Sequence, residues 1–286
     1  MGIPENLPED ADAVLAHIGS DPQAFKELYD TFFPRVYNYF RYRNAEGSLA
    51  DDLTAITFEQ AWLGLRKFRP DSSSFRVWLF TIARDLMDEH LRLQNRQANP
   101  NFDEISGQPR KEPLEIRDLG QAELLETLAE LEDQPRDLIA LKFAAHMTDR
   151  QIAILSGLDE RDVDLNLFRS LARIRAKLDN ETNLDQVPMY EREWSGRISF
   201  NIGALLNGTE LPEDEEPTQD VYQILKTARR LIRMDFSYES QIRSSLGERL
   251  AARPPLRRWY WSKPGGVARL LSPPQMIALA IILIHQ

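Results

Sequence analysis

Cysteine is absent from the 286 residues, which removes disulfides, zinc ribbons and thiol catalysis and suits a reducing cytosol. Histidine is scarce: His17, His90, His146 and His285 stand apart, without metal-ligand spacing. Asp88, Glu89 and His90 are contiguous, so a helix points them in different directions and they form no single ligand set. No Gly-rich phosphate loop and no nucleophile motif occurs. An enzyme is therefore not expected, and neither is a catalytic residue, a cofactor or a metal site. The first twelve residues are acidic and lack the basic and apolar regions of a secretory signal. The apolar run 276–284 has nine residues, where a bilayer span needs about twenty.

Positive charge is also in deficit, with 35 Lys and Arg against 45 Asp and Glu and a net charge of −10. That balance opposes contact with phosphate backbones, but its distribution matters more than its sum. Residues 226–269 hold eleven cations against three acids, and residues 210–220 hold six acids and no base. The C-terminal third is thus strongly polarised. What the chain does have is apolar content, 42% hydrophobic against 28% charged residues, enough to bury real cores in about two domains plus linkers.

No run alternates like a half-buried strand for long, and helical periodicity dominates, so an all-α protein is expected. Asp21-Pro22 suits a helix start. Phe25, Leu28, Tyr29, Phe32, Val36 and Tyr37 then recur in one apolar stripe. A second helix begins near Ser48, with Asp51 placed to close a capping-box-like start, and buries Leu53, Ile56, Thr57, Ala61 and Trp62. A Pro-Asp-Ser-Ser-Ser loop leads into a third helix over 75–96. The polar, proline-containing stretch 98–117 reads as a linker. Shorter helices are expected at 121–131, 135–143, 148–155 and 160–178, then a second linker over 180–217. Basic amphipathic helices follow at 219–234 and 238–252.

Three segments carry a family resemblance. Phe75-Arg76-Val77-Trp78-Leu79-Phe80-Thr81-Ile82-Ala83-Arg84 resembles the F-x-x-W-L-x-x-I-A-R stretch of ECF (extracytoplasmic function) sigma factors of bacterial RNA polymerase, followed by Asp88, Leu91 and Arg92. Asp52-Leu53-Thr54 with Thr57-Phe58 and Ala61-Trp62, and Phe25, Leu28-Tyr29 with Val36-Tyr37, resemble that family's two preceding helices. The resemblance implies a region-two domain that captures melted promoter bases. It places Asp71, Ser72, Ser73, Arg76, Trp78, Arg84, Asp85, Arg92 and Arg96 toward DNA. Asp52, Leu53, Ala55, Ile56 and Glu59 are placed toward polymerase. Trp62 and Trp78 are also natural core residues, and both readings stand at this point. Asp85 replaces the family's Asn, and Ala55-Ile56 replaces its polar and acidic pair.

Thr148 and Gln151 form a capping box, Gly157 sits at a turn, and a longer helix follows, which is a helix-turn-helix arrangement. Ile152, Ala153, Leu155, Gly157, Leu158, Val163, Leu167, Arg169 and Ala172 resemble sigma region four. Thr148, Arg150, Arg161, Asn166, Arg169 and Arg173 are the candidate DNA contacts there. Asp162 and Asp164 stand where the family carries Thr and Lys, so weak or unusual upstream-element reading is expected.

The expected organisation is a region-two domain (1–97), a flexible linker (98–118), a region-four domain (119–180) and a mostly helical C-terminal extension (181–286). Core RNA polymerase and promoter DNA are the implied partners, with an anti-sigma factor as a further one. The rival function is a polymerase-binding regulator with degraded promoter selectivity, controlled in cis by the extension. Residues 253–286 join a basic, aromatic cluster (Arg257, Arg258, Trp259, Tyr260, Trp261, Lys263) to the apolar run. That pairing suits either contact with an anionic membrane surface or docking of a terminal helix on the protein.

Overall fold

The computed structural model describes residues 22–65, 68, 74–97, 119–178, 191–208 and 219–252. Every regular element among them is helical. Three helices come first: α1 (Pro22–Tyr42), α2 (Gly47–Gly64) and α3 (Phe75–Gln97). The helix-turn-helix half comprises α4 (Leu119–Ala129), α5 (Asp133–Ile139), a π-helical turn (Ala140–Ala144), α6 (Asp149–Ser156) and α7 (Glu160–Leu178). The extension adds α8 (Glu191–Leu206), α9 (Gln219–Ile232), a 3₁₀ turn (Ser237–Glu239) and α10 (Arg243–Ala252).

Helix α1 is the spine. The apolar stripe predicted for it is buried, but burial extends much further. Residues 36–43 are buried without a break, including Asn38, Arg41 and Arg43. A helix buried all round is a central helix. The surrounding layers are α2 and α3, the π-helical turn, and α10 from the extension, each packed on α1. The polar residues on this spine are tolerable because each has a partner: Asn38 and Arg41 in the extension, Arg43 in α5.

Helix α2 approaches α3 closely at Gly64, where a Cβ would lie 2.8 Å from the Trp78 ring. Only a glycine permits that approach. Asp51 does not close the start of α2 as the sequence suggested. Glu46 precedes the helix without a side-chain cap, and the buried Asp51 turns toward the extension to accept hydrogen bonds from Ser240 and Gln241. The pull comes from two donors that a local cap would not have satisfied.

The helix-turn-helix forms as its residues dictate. The Thr148 hydroxyl accepts from the Gln151 N–H, Gln151 Oε1 accepts from the Thr148 N–H, and Gly157 closes α6 at φ +75°. The stretch 180–217, expected to be a linker, contains α8. Ser195, Ile198, Ser199 and Ile202 are its buried face, at the spacing of one helical stripe. Two serines on that face and Gly196 and Gly203 between diluted the apolar signal. Helix α8 packs along α7 and against α9, and α9 in turn reaches α7 and the π-helical turn. The buried side chains of the first three helices, the helix-turn-helix half and the extension form one continuous cluster.

Candidate nucleic-acid and polymerase interface

The start of α3 is anchored by aromatic packing. Trp78 lies 5.0 Å from Phe68 and 5.6 Å from Phe75, ring centre to ring centre, and rests against Gly64. It is half-buried, so of the two readings open for Trp78 the packing role is the one its contacts describe. Trp62 is buried edge-on to Phe25 at 4.6 Å.

The arginines of α3 divide into two kinds. Arg76 donates to the His146 carbonyl at 2.6 Å. Arg84 donates through Nε to Asp137 at 2.9 Å and through Nη1 to the Leu155 carbonyl. Both therefore hold the helix-turn-helix half instead of facing open solvent. Arg92 is exposed and pairs with Glu89 on its own helix. Arg96 lies on the last turn of α3. Asp85 is exposed, and desolvation followed by repulsion from Asp88 raises its carboxyl above the usual range. Residues 71–73, which contain Asp71, Ser72 and Ser73, lie outside the described residues.

Asp137 on α5 is the node between the halves. Its carboxylate accepts from Tyr39 Oη at 2.8 Å, from Arg43 Nη1 and from Arg84 Nε. Asp137 and Arg43 are each only 3% exposed. A charge this deep is tolerable because all its neighbours are donors. No sequence pattern marks Asp137, because its partners are 53 to 98 residues away.

His146 occupies a second junction, at φ +54° between the π-helical turn and α6. Burial, then the nearby Arg35 and Arg76 cations, push its pKa down to about 3, so it is neutral at physiological pH. Arg35 is itself lowered to about 10 by burial and by Arg76. Two cations and a neutral imidazole thus share a pocket made by both halves.

On α2 the five expected polymerase contacts do not share one environment. Leu53 and Ile56 belong to the core, at 5% and 7% exposure. Ala55 is half-buried, Asp52 is exposed, and Glu59 accepts from Arg249 of the extension at 3.3 Å. The apolar pair faces inward because α2 must bury a stripe against α1 and α3.

The longer helix of the helix-turn-helix presents Arg161, Asp162, Arg169, Arg173 and Lys177 outward. Asn166 is half-buried and its amide donates to the Asp162 carbonyl at 2.7 Å. Arg150 on α6 is exposed, as is Thr148, whose hydroxyl is engaged in the cap. Asp164, expected to repel phosphate, turns the other way. It lies among Asp149, Ser199 and Lys142, and desolvation raises its carboxyl. Lys142 Nζ bonds Asp149 at 2.7 Å, and Ser199 of α8 bonds the same carboxylate at 2.6 Å. The Asp149 carboxylate thus joins α6 to the π-helical turn and to α8, and Asp164 of α7 lies beside it.

Comparisons with known proteins agree with the motifs. Residues 28–97 match the family model described as Sigma-70 region 2. The ECF RNA polymerase sigma factor BldN of Streptomyces coelicolor is 28% identical over 54% of this chain and 61% of its own length, so the chain spans about three-fifths of that relative. The ECF RNA polymerase sigma factor RpoE of Cereibacter sphaeroides is 28% identical over 54% of this chain and 86% of its own. The RNA polymerase sigma factor CnrH of Cupriavidus metallidurans is 29% identical over 61% of this chain and 98% of its own. A solved structure of CnrH in complex with the cytosolic domain of CnrY aligns at 22% identity and TM-score 0.44, over 59% of this chain and 97% of that one. Residues 28–97, which hold most of the three motif segments, thus match a Sigma-70 region 2 domain, and the chain is similar to ECF-type RNA polymerase sigma factors.

Proposed function

We propose that this chain binds core RNA polymerase through the α1–α2 face and engages promoter DNA with α3, residues 71–74 and helix α7, as a binding subunit with no chemistry of its own. The observation that carries the reading is the match over residues 28–97, which the structure realises as three packed helices with α3 held at its start by Trp78. Melting a promoter costs a few kcal/mol of unstacking per base, recovered when freed bases are captured on cations, loop groups and aromatic faces. Helix α3 carries the cations Arg76, Arg84, Arg92 and Arg96 for such capture, and residues 71–74 carry three hydroxyls and a carboxylate.

The rival, a polymerase-binding regulator with degraded promoter selectivity, drew on Asp85, Asp162, Asp164 and Asn166. Asp164 is turned into the fold and Arg161, Arg169 and Arg173 stand on the outward face of α7, which favours the promoter-reading function. An anti-sigma factor belongs to this proposal as a partner competing for the same faces. Membrane contact through 253–286 falls outside the described residues, and no helix among the described residues is long and apolar enough to cross a membrane. Permanganate footprinting of promoter DNA with core polymerase tests the reading: reactive thymines near the start site, dependent on this chain, are expected. Unreactive DNA despite polymerase binding would overturn it.

A further inference from the structure

The segment after α9 folds back over α1 and α2 and is fastened along its length. The Leu231 carbonyl accepts from Tyr42 Oη at 2.7 Å. The Asn38 amide grips the following turn with both ends, donating to Asp235 at 3.0 Å and accepting from the Phe236 N–H at 2.7 Å. Phe236 is fully buried, edge-on to Tyr42 and 5.2 Å beneath the Arg41 guanidinium. Arg41 also pairs with Glu239 at 2.8 Å. Asp51 accepts from the Ser240 hydroxyl and the Gln241 N–H. The Arg243 carbonyl accepts from Tyr29 Oη, and Arg249 reaches Glu59 at 3.3 Å.

The same segment also holds the other half of the molecule. Arg230 reaches Glu123 at 3.2 Å, and Tyr238 Oη donates to Gln121 at 3.0 Å, both on α4. So residues 230–249 tie the α1–α2 face to the helix-turn-helix half. With the tie in place, Glu59 is occupied by Arg249. The tie is short, and many of its fastenings are polar groups that water can satisfy once it lifts.

We propose that residues 231–252 are a built-in strap that competes with core RNA polymerase for the α1–α2 face, so that polymerase binding displaces the strap. The proposal rests on the reading of α1–α2 as the polymerase-facing surface. Displacement uncovers the polymerase face and releases the Tyr238 contact to Gln121 on α4. The chain's apparent affinity for polymerase is reduced by the fraction of molecules whose strap is open.

Gly247 supplies a test that leaves α1, α2 and α3 untouched. A Cβ there would sit 2.8 Å from the ring of Tyr29, which is buried and cannot swing aside. Alanine is otherwise the better helix residue, so Gly247→Ala unseats α10 without unfolding it. Phe236→Ala empties the other anchor. In the full chain, both variants should raise hydrogen exchange across 231–252 while α1–α3 stay protected. Both should also tighten the apparent Kd for core polymerase, by about tenfold if a tenth of the wild-type molecules are open. Adding core polymerase to the wild type should raise exchange in the same segment.

Raised exchange with unchanged or weaker polymerase affinity would overturn the competition. So would a strap that stays protected in the wild-type complex, or unchanged exchange in both variants. If no form binds polymerase at all, the functional reading fails first and the strap proposal falls with it, an outcome distinct from equal binding by all forms.

Discussion

Replacing Asp137 with alanine should destabilise the protein more than any substitution on its surface. The carboxylate accepts from Tyr39, Arg43 and Arg84, and Arg43 is 3% exposed. Removing the acid leaves the Arg43 guanidinium buried with only Asp88, 3.4 Å away and half-exposed, as a charged partner. Breaking one side of a buried ion pair costs about 3–5 kcal/mol. With a urea m-value of about 2 kcal/mol/M, the midpoint should fall by about 1.5–2.5 M. Circular dichroism at 222 nm, followed through a urea titration at neutral pH, measures it. The double variant Arg43→Met with Asp137→Leu removes both buried charges, so it should be more stable than Asp137→Ala, while the orphaned Tyr39 hydroxyl keeps it below the wild type. An Asp137→Ala loss below about 1 kcal/mol, or a double variant no better than the single one, would refute the node.

Gly64→Ala should lose about 1–3 kcal/mol, because the added Cβ meets the Trp78 ring at 2.8 Å. A thermal melt indistinguishable from wild type would show that α2 and α3 are not held that close. His146 has a folded pKa near about 3 against an ordinary value of 6.5. Its contribution to stability is therefore complete above about pH 6.5 and is lost as pH falls toward about 3. His146→Asn keeps a residue that tolerates the left-handed backbone at φ +54° and should flatten the fall of the urea midpoint between pH 7 and pH 4.5. Parallel profiles for the two proteins would contradict it. Arg169→Ala and Arg173→Ala, on the outward face of α7, should each reduce the salt slope of promoter binding by about 1, with unchanged slopes as the refuting result.

The sequence showed the helices wherever an apolar stripe repeated over three or more turns, as in α1 and α3, and wherever a cap and a glycine bracketed a short one, as in α6. Helix α8 escaped because serines and glycines occupy positions that larger apolar residues hold elsewhere. The candidate site was less legible. Arg76 and Arg84 announce themselves as cations on a helix, but nothing local says whether a cation will face phosphate or a carboxylate from a distant segment. Asp137 and His146, which decide the matter here, come from the other half of the chain. Asp164 illustrates the same limit in reverse: its spacing places it on the recognition helix, while its carboxyl lies beside Lys142 and Ser199 from other segments. Periodicity identifies faces. Pairing between faces depends on long-range contacts that a linear pattern does not encode.

The central claim is that this chain directs polymerase to promoters, and run-off transcription tests it most directly. Core RNA polymerase, the full chain and a library of upstream sequences from the host genome are combined, and the transcripts are sequenced. The account predicts transcripts that start at defined positions downstream of a shared sequence element and that vanish when the chain is omitted. Transcripts with scattered starts, or none above those of core polymerase alone, would contradict it.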